Sequence, residues 1–299
     1  MNERARVILN PTAGTDTAAA HADVINRRLR TRYDTLEIVL TTAGGDATRA
    51  AQRAVEDGCT HLFVGGGDGT LNEVINGVAL VDGALARTTF GLVPLGTGND
   101  FAAALGIPLD VEEALTVLLE APARPVDLGE VNGRVFVNIS GGGFFAEVSE
   151  SVTPQMKTVA GRLAYLLGGA QVLMEFEPVH GRVRADTEGS GFETTVYAFA
   201  VCNSRMFGGG NLIAPHAVVD DGLLDLCVIE AMSTLEFATL LRSVSQGTHL
   251  EDPRVRYLRA ATLTLDFDTP VTINTDGEVL VASRCEYRVR PGATRFFAA

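Results

Sequence analysis

A chain of 299 residues, 46% hydrophobic and 20% charged, is long enough for two ordinary domains and apolar enough to bury a core. Its formal net charge of −13 argues against nucleic-acid partners and against purely electrostatic adhesion to anionic lipid, and no apolar run approaches the ~20 residues of a membrane span. Cys59, Cys202, Cys227 and Cys285 are too scattered for a metal knuckle or a disulfide framework, which suggests buried thiols in a reducing cytoplasm.

Arg4–Asn10 reads as a strand rather than a signal peptide, and Asn10-Pro11-Thr12-Ala13-Gly14 turns out of it. Ala18–Tyr33 has the period of an amphipathic helix, with Ala22, Ile25 and Leu29 on one face. Leu36–Leu40 is the next strand, followed by TTAGGDA and a helix over Ala47–Glu56. His61–Val64 and Phe90–Val93 are short apolar strands; the first empties through three glycines into a helix over Leu71–Val78. Helices at Asp100–Leu105 and Val111–Leu119 follow. This alternation predicts a parallel, Rossmann-like sheet in an α/β domain over residues 1–122, with ligands beyond the carboxyl ends of its strands. The pattern then changes. Asn132-Gly133 between Arg124–Val131 and Arg134–Ser140 is a strong hairpin signal. Strands expected at Gly181–Thr187, Thr194–Val201, Leu224–Glu230, Ala261–Phe267, Val271–Thr275, Glu286–Pro291 and Thr294–Phe297, with helices near Gly161–Leu173 and Leu235–Ser243, predict an antiparallel, β-sandwich-like domain over residues 123–299.

Two loops carry the chemistry. In HLFVGGGDGTLNEVING a strand leads through glycines into a helix N-terminus, which is how backbone N–H groups come to cradle phosphate. An acid inside such a loop makes sense if Asp68 holds Mg²⁺ or faces a hydroxyl to be phosphorylated; the plainer reading is an N-cap in a tight turn. FGLVPLGTGND repeats the arrangement, ending near Asp100.

Together these loops resemble the diacylglycerol kinase family of lipid kinases, whose patterns GGDGT-x-N-E and P-x-GT-x-ND-F are matched at Gly66–Glu73 and Pro94–Phe101. NPxxG at Asn10–Gly14 and TTxxxDA from Thr41 resemble its nucleotide-binding pieces. VNISGGGFFAEV, GRLAYLL, NSRMFGGGNLIAPHAVVDDGLLDL and TDGE resemble its later segments. The resemblance implies an ATP site formed by Asn10, Pro11, Thr12, Ala13, Gly14, Thr41, Gly66, Gly67, Gly69, Thr70, Asn72, Glu73, Gly96 and Thr97. It implies an acidic cluster of Asp68, Asp100 and Asp127 organising hydrated Mg²⁺, and Glu278 as the base for the acceptor hydroxyl, with Asp276 the alternative. It also implies a structural Mg²⁺ on the Asp221 side chain and the Val218 and Leu223 carbonyls; the residues alone suit an ordinary Asp-Gly turn equally well. Two family cations are missing, since Thr15 follows NPTAG and Ala102-Ala103-Ala104 follow the second motif. Lys157, the one lysine of the chain, is then the foremost candidate for a compensating cation, with Arg162 and Arg205 behind it.

The expected function is an ATP-dependent lipid kinase acting on diacylglycerol or a similar lipid, making transient contact with a membrane surface. Phe144, Phe145, Leu163, Tyr165 and Leu166 are expected to line the lipid groove between the domains. An NAD kinase shares GGDGT, and a relative that binds nucleotide or lipid without turnover is the non-enzyme alternative. An exposed sheet edge in the second domain would allow a homodimer.

Overall fold

The computed structural model describes residues 4–14, 18–151, 176–186 and 190–299. The helix expected at Gly161–Leu173, together with Thr15, Lys157, Arg162, Leu163, Tyr165 and Leu166, lies outside these residues.

In the first half β1 (Arg4–Leu9), β2 (Thr35–Leu40), β3 (His61–Gly66) and β4 (Thr89–Pro94) pair in parallel in the order β2-β1-β3-β4. Helices α1 (Ala22–Leu29), α2 (Asp46–Glu56), α3 (Asp68–Ala79), α4 (Ala84–Arg87), α5 (Asp100–Ala104) and α6 (Val111–Glu120) connect and cover them. Alternation along the strands feeds two cores. Ile8, Leu62, Val64 and Phe90 pack on one face with Val74 and Ile75, while Val7, Leu9, Phe63 and Val93 pack on the other with Ile25 and Leu118. The helix expected over Ala18–Tyr33 is shorter, a 3₁₀ turn at Ala18–His21 running into α1.

The second half contains β5 (Ala123–Val131), β6 (Arg134–Phe136), β7 (Ile139–Gly143), α7 (Phe144–Ser151), β8 (Val179–Ala185), β9 (Phe192–Cys202) and β10 (Leu224–Glu230). It continues with α8 (Thr234–Gln246), β11 (Val255–Ala260), β12 (Thr262–Thr275) and β13 (Glu278–Phe297). Its strands pair antiparallel with one another. Asn132 and Gly133 take the left-handed φ values of 48° and 86° that their hairpin requires. Ser233 and Glu236 form a reciprocal capping box at the start of α8, and left-handed Gly247 ends it.

Four elements escaped the sequence pattern: α4, β7, α7 and β11. β7 ends in three glycines, so no alternation could mark it. Four expected strands merge into two: β12 bridges an irregularity between Asp266 and Val271, and β13 one between Arg290 and Thr294. The merger has a large consequence. β13 pairs with β12 and β5 and then, at Arg295 and Phe296, runs parallel to β4. One hydrogen-bonded sheet thus passes through both halves, and Phe296 and Phe297 enter the two cores of the first half.

Candidate active site

Parallel pairing sets Leu9 beside Leu40 and Gly65, and Gly66 beside Pro94, so the loops leaving the four strands share one edge of the sheet. Their backbones touch. A Cβ on Gly96 would stand 2.4 Å from the Gly67 Cα, and one on Gly14, whose φ is 72°, 2.5 Å from the Leu95 carbonyl oxygen. Asn10 donates from Nδ2 to Thr70 Oγ1 at 3.2 Å and accepts from Thr12 N at 3.1 Å, while the Ala13 amide closes the turn onto the Asn10 carbonyl. Thr41 donates its amide to the Leu9 carbonyl, and Glu73 accepts from Gly45 N at 3.0 Å. Asn99, left-handed at φ 54°, both accepts from Gly96 N and donates to Gly96 O. Pro11 and exposed Thr97 sit in the turns themselves. Asn72 is different: buried in α3, it accepts from Asn76, which also bonds the Val135 carbonyl, so it faces β6 rather than the loops. Gly69 has open space where a Cβ would go, and the first amides of α3 have no acceptor within the helix. The edge can therefore receive an anion against backbone N–H groups.

Beside it stand two carboxylates. Asp68 does not cap its own helix. It reaches across to α5, accepting from Asp100 N and Phe101 N at 3.0 Å each, and takes a third bond at 3.1 Å from Asn138 Nδ2. Asp100 accepts from Gly209 N at 2.9 Å and Gly210 N at 2.8 Å; burial, with the charge of Asp68 adding to it, pushes its carboxyl above the usual range, against the pull of those amides. Both acids are held by donors of the second half. Among the described residues neither has a cationic partner. A methyl on Gly98 would lie 3.4 Å from Asp68 Oδ2 and 3.6 Å from Asp100 Oδ2, so the two carboxylates look onto one shared space. That donor set suits a hydrated divalent cation.

Asp127 does not join them. Its oxygens accept from Gly222 N at 2.7 Å and Gly292 N at 2.6 Å, closing two left-handed turns, and no group of three or more His, Cys, Asp or Glu among the described residues could hold a metal ion. The expected cluster of three aspartates is a pair, because β5 delivers Asp127 to turns of the second half. Asp276 is buried under the β12–β13 turn and accepts from Val137 N, Asn138 N and Ile139 N. Burial pushes it up to about 6. Its carboxylate is engaged by three backbone amides, which leaves Glu278 the more exposed of the two candidate bases. Glu278 follows left-handed Gly277 at the hairpin tip, half-exposed and 3.3 Å from Arg134.

The Asp221 site also departs from expectation. Its side chain pairs with Arg259 and accepts from Leu223 N at 3.1 Å. Arg259 stands opposite Asp225 in the β10–β11 ladder and holds that buried carboxylate at 3.2 Å, with Tyr257 donating its hydroxyl to the same oxygen. Arg259 places one positive charge between the two carboxylates and would repel a divalent ion, so the Asp221 side chain, with the Val218 and Leu223 carbonyls, is not set out as a metal ligand in this arrangement. Of the groove residues, Phe144 is buried against Phe237 and Tyr197, and Phe145 packs on Phe207. Arg205 donates Nε to the Ala217 carbonyl.

Asn138 is the residue that sequence reasoning passed over; it lies inside VNISGGGFFAEV with nothing local to distinguish it from other strand-edge asparagines.

The family model of the diacylglycerol kinase catalytic domain matches residues 4–131, and that of the YegS C-terminal NAD kinase beta sandwich-like domain matches residues 139–298. The chain is 36% identical over 278 residues to the diacylglycerol kinase of Bacillus subtilis (strain 168), covering 92% of this chain and 90% of that one. It is 34% identical to the diacylglycerol kinase of Staphylococcus aureus (strain Newman), covering 93% and 87%. A Bacillus anthracis str. Sterne crystal structure assigned to a diacylglycerol kinase superposes with a TM-score of 0.83 at 27% identity, over 99% of this chain and 98% of that one. With two family models tiling both halves in order, and kinases so named aligning across nine-tenths of its length, the chain belongs to the diacylglycerol kinase family.

Proposed function

We propose that the protein is an ATP-dependent lipid kinase that phosphorylates the hydroxyl of diacylglycerol or a similar lipid. The observation that carries this is the juxtaposition of an open, glycine-lined sheet edge with two carboxylates that have no cationic partner among the described residues. Phosphoryl transfer asks for cradled phosphates, neutralised charge and a positioned hydroxyl. In this reading the Rossmann-like first half, residues 1–122, binds ATP on the loops around Gly14, Thr41, Gly67 and Gly96. Asp68 and Asp100 would hold Mg²⁺, which when bound supplies charge neutralisation for the transferring phosphoryl group. Glu278 takes the proton of the acceptor hydroxyl, and Lys157 supplies a further cation.

The acceptor is proposed to enter from the second half, residues 123–299. A cavity of about 330 Å³ there has an apolar wall of Phe176, Val196, Phe199, Phe267 and Val271 and a polar one of Glu147, Glu177 and Thr272, which is consistent with an occupant that has both an apolar and a polar part. Among the described residues no helix is long and apolar enough to cross a membrane. Access to lipid by transient contact from the cytoplasm, as monomer or homodimer, is part of this proposal. The NAD kinase alternative draws its support from the description of the second family model. Radiolabelled phosphate transfer from ATP to a panel of diacylglycerol, sphingosine, phosphatidylglycerol, prenols and NAD tests both readings. Label on diacylglycerol is the expected result; label on NAD alone would overturn the lipid-kinase reading.

A further inference from the structure

Asn138 immediately precedes β7 and is buried. Its backbone amide donates to Asp276 Oδ2 at 3.1 Å, and its carbonyl accepts from Asn203 N at 2.9 Å and Ser204 N at 3.3 Å. Its side-chain Oδ1 accepts from the Ser204 hydroxyl, which turns Nδ2 towards Asp68 Oδ1 at 3.1 Å. Main chain and side chain are thus both fixed before Asp68 is reached. The donor that meets Asp68 belongs to the second half, whereas the other two donors, the Asp100 and Phe101 amides, belong to α5 of the first.

This distribution separates two jobs. The α5 amides hold the Asp68 carboxylate to its own half and would go on doing so without Asn138. What Asn138 adds is a second donor on Oδ1, the oxygen that Phe101 N already meets, and it ties the carboxylate to the half that carries Asp276 and Glu278. We propose that Asn138 is a positioning residue for Asp68, acting through that carboxylate and touching neither nucleotide nor acceptor. Outer hydrogen-bond partners of this kind typically matter about 10–100-fold when removed. The inference rests on the kinase reading given above.

The test compares Asn138→Ala, Ser204→Ala, the double variant and Ser140→Ala in ATP turnover with dioctanoylglycerol as acceptor, alongside thermal melts. Ser140 lies two residues away on β7 and bonds Thr275 and Tyr287 instead, so it reports the cost of damaging the same strand without touching Asp68. Asn138→Ala is expected to lower kcat about 10–100-fold with KM for ATP changed less than about threefold. Ser204→Ala should lower kcat less, and the double variant should be no worse than Asn138→Ala, since both substitutions break one chain of bonds. Ser140→Ala should keep kcat within about twofold while lowering the melting temperature at least as much. If Asn138→Ala does not fold, Asn138→Ser carries the same comparison. Near-wild-type kcat in a folded Asn138 variant, an equal kcat loss in Ser140→Ala, or losses that multiply in the double variant would each overturn the inference. A wild type inactive on every acceptor would instead sink the kinase reading, and this inference with it.

Discussion

Two pairs of aspartates in this molecule are held in opposite ways. Asp68 and Asp100 are surrounded by amides: the backbone N–H groups of Asp100, Phe101, Gly209 and Gly210 and the side chain of Asn138. Asp221 and Asp225 share the Arg259 guanidinium. Amide donors fix a carboxylate in space but leave its formal charge, so the first pair remains poised for a cation. A guanidinium brings a positive charge of its own, which halves the formal charge of the second pair and repels a further cation. What a resemblance between motifs treats as two metal sites, the structure divides into an amide-bound acidic pair, which we propose as the reactive one, and an ion-paired acidic pair.

The sharpest way to break this comparison is Asp68→Asn. It keeps the shape but removes the charge and sets an NH₂ against a donor, so turnover should fall about 10²–10³-fold. The melting temperature should fall too, because Asp68 is bonded into α5 and not merely set out for a ligand. Steady-state kinetics beside a thermal melt would show both. An unchanged melting temperature would mean that the α5 bonds carry no stability.

Arg259→Gln probes the other pair. Removing the guanidinium leaves buried Asp225 without its cation, at a cost of about 1–3 kcal/mol after allowing for the partial exposure of Arg259. Chemical denaturation measures the cost. Millimolar Mg²⁺ should then raise the melting temperature of the variant more than that of the wild type, while chelation should leave the wild type almost unmoved. A wild type that melts several degrees lower in chelator would restore the metal to Asp221.

A third difference is readable in pH. Burial raises Asp276 to about 6, above its ordinary value of 3.8, so between those values the folded state holds the proton more tightly than the unfolded one. Its contribution to stability is therefore largest in acid, falls as pH rises from about 4 to about 6 by about 2–3 kcal/mol, and is level above. Denaturation at three pH values, with Asp276→Asn as reference, should show that slope in the wild type and its loss in the variant. The smallest effect expected is on membranes. With a net charge of −13, binding to anionic vesicles should change less than about twofold between low and physiological salt. Steep weakening with salt in a sedimentation assay would reveal a basic patch that this reading does not contain.

Local signals in the sequence were sufficient wherever a feature is made by neighbours in the chain. The glycine loops, the Asn132-Gly133 hairpin and the start of α8 at Ser233 are each decided within a few residues by φ preferences and caps. For the same reason the two long motifs sufficed to point to the family. The aspartates illustrate the limit. Asp68, Asp100, Asp127 and Asp276 are four acids beside glycines or turns, alike in sequence, yet their partners lie as far as 165 residues along the chain, as in the bond from Gly292 to Asp127. β13 was misread for a related reason: Pro291 and Gly292 look like a chain break, and only pairing with β5 on one side and β4 at its end carries the strand across.

By itself, then, the sequence determined the local conformations of the loops, the alternation that buries both faces of the first sheet, and the net negative charge of the chain. These follow from steric limits on φ, from the period of two along a strand and from summed charge, none of which needs a partner distant in the chain. Tertiary structure alone decided which carboxylate faces which donor: Asp127 closing turns, Asp276 sealed beneath a hairpin, Asp221 bound to Arg259, and Asp68 fixed across the halves by Asn138. A carboxylate takes its role from the charge and hydrogen-bond donors within a few ångströms of it, and the fold assembles that shell from residues that the sequence leaves far apart.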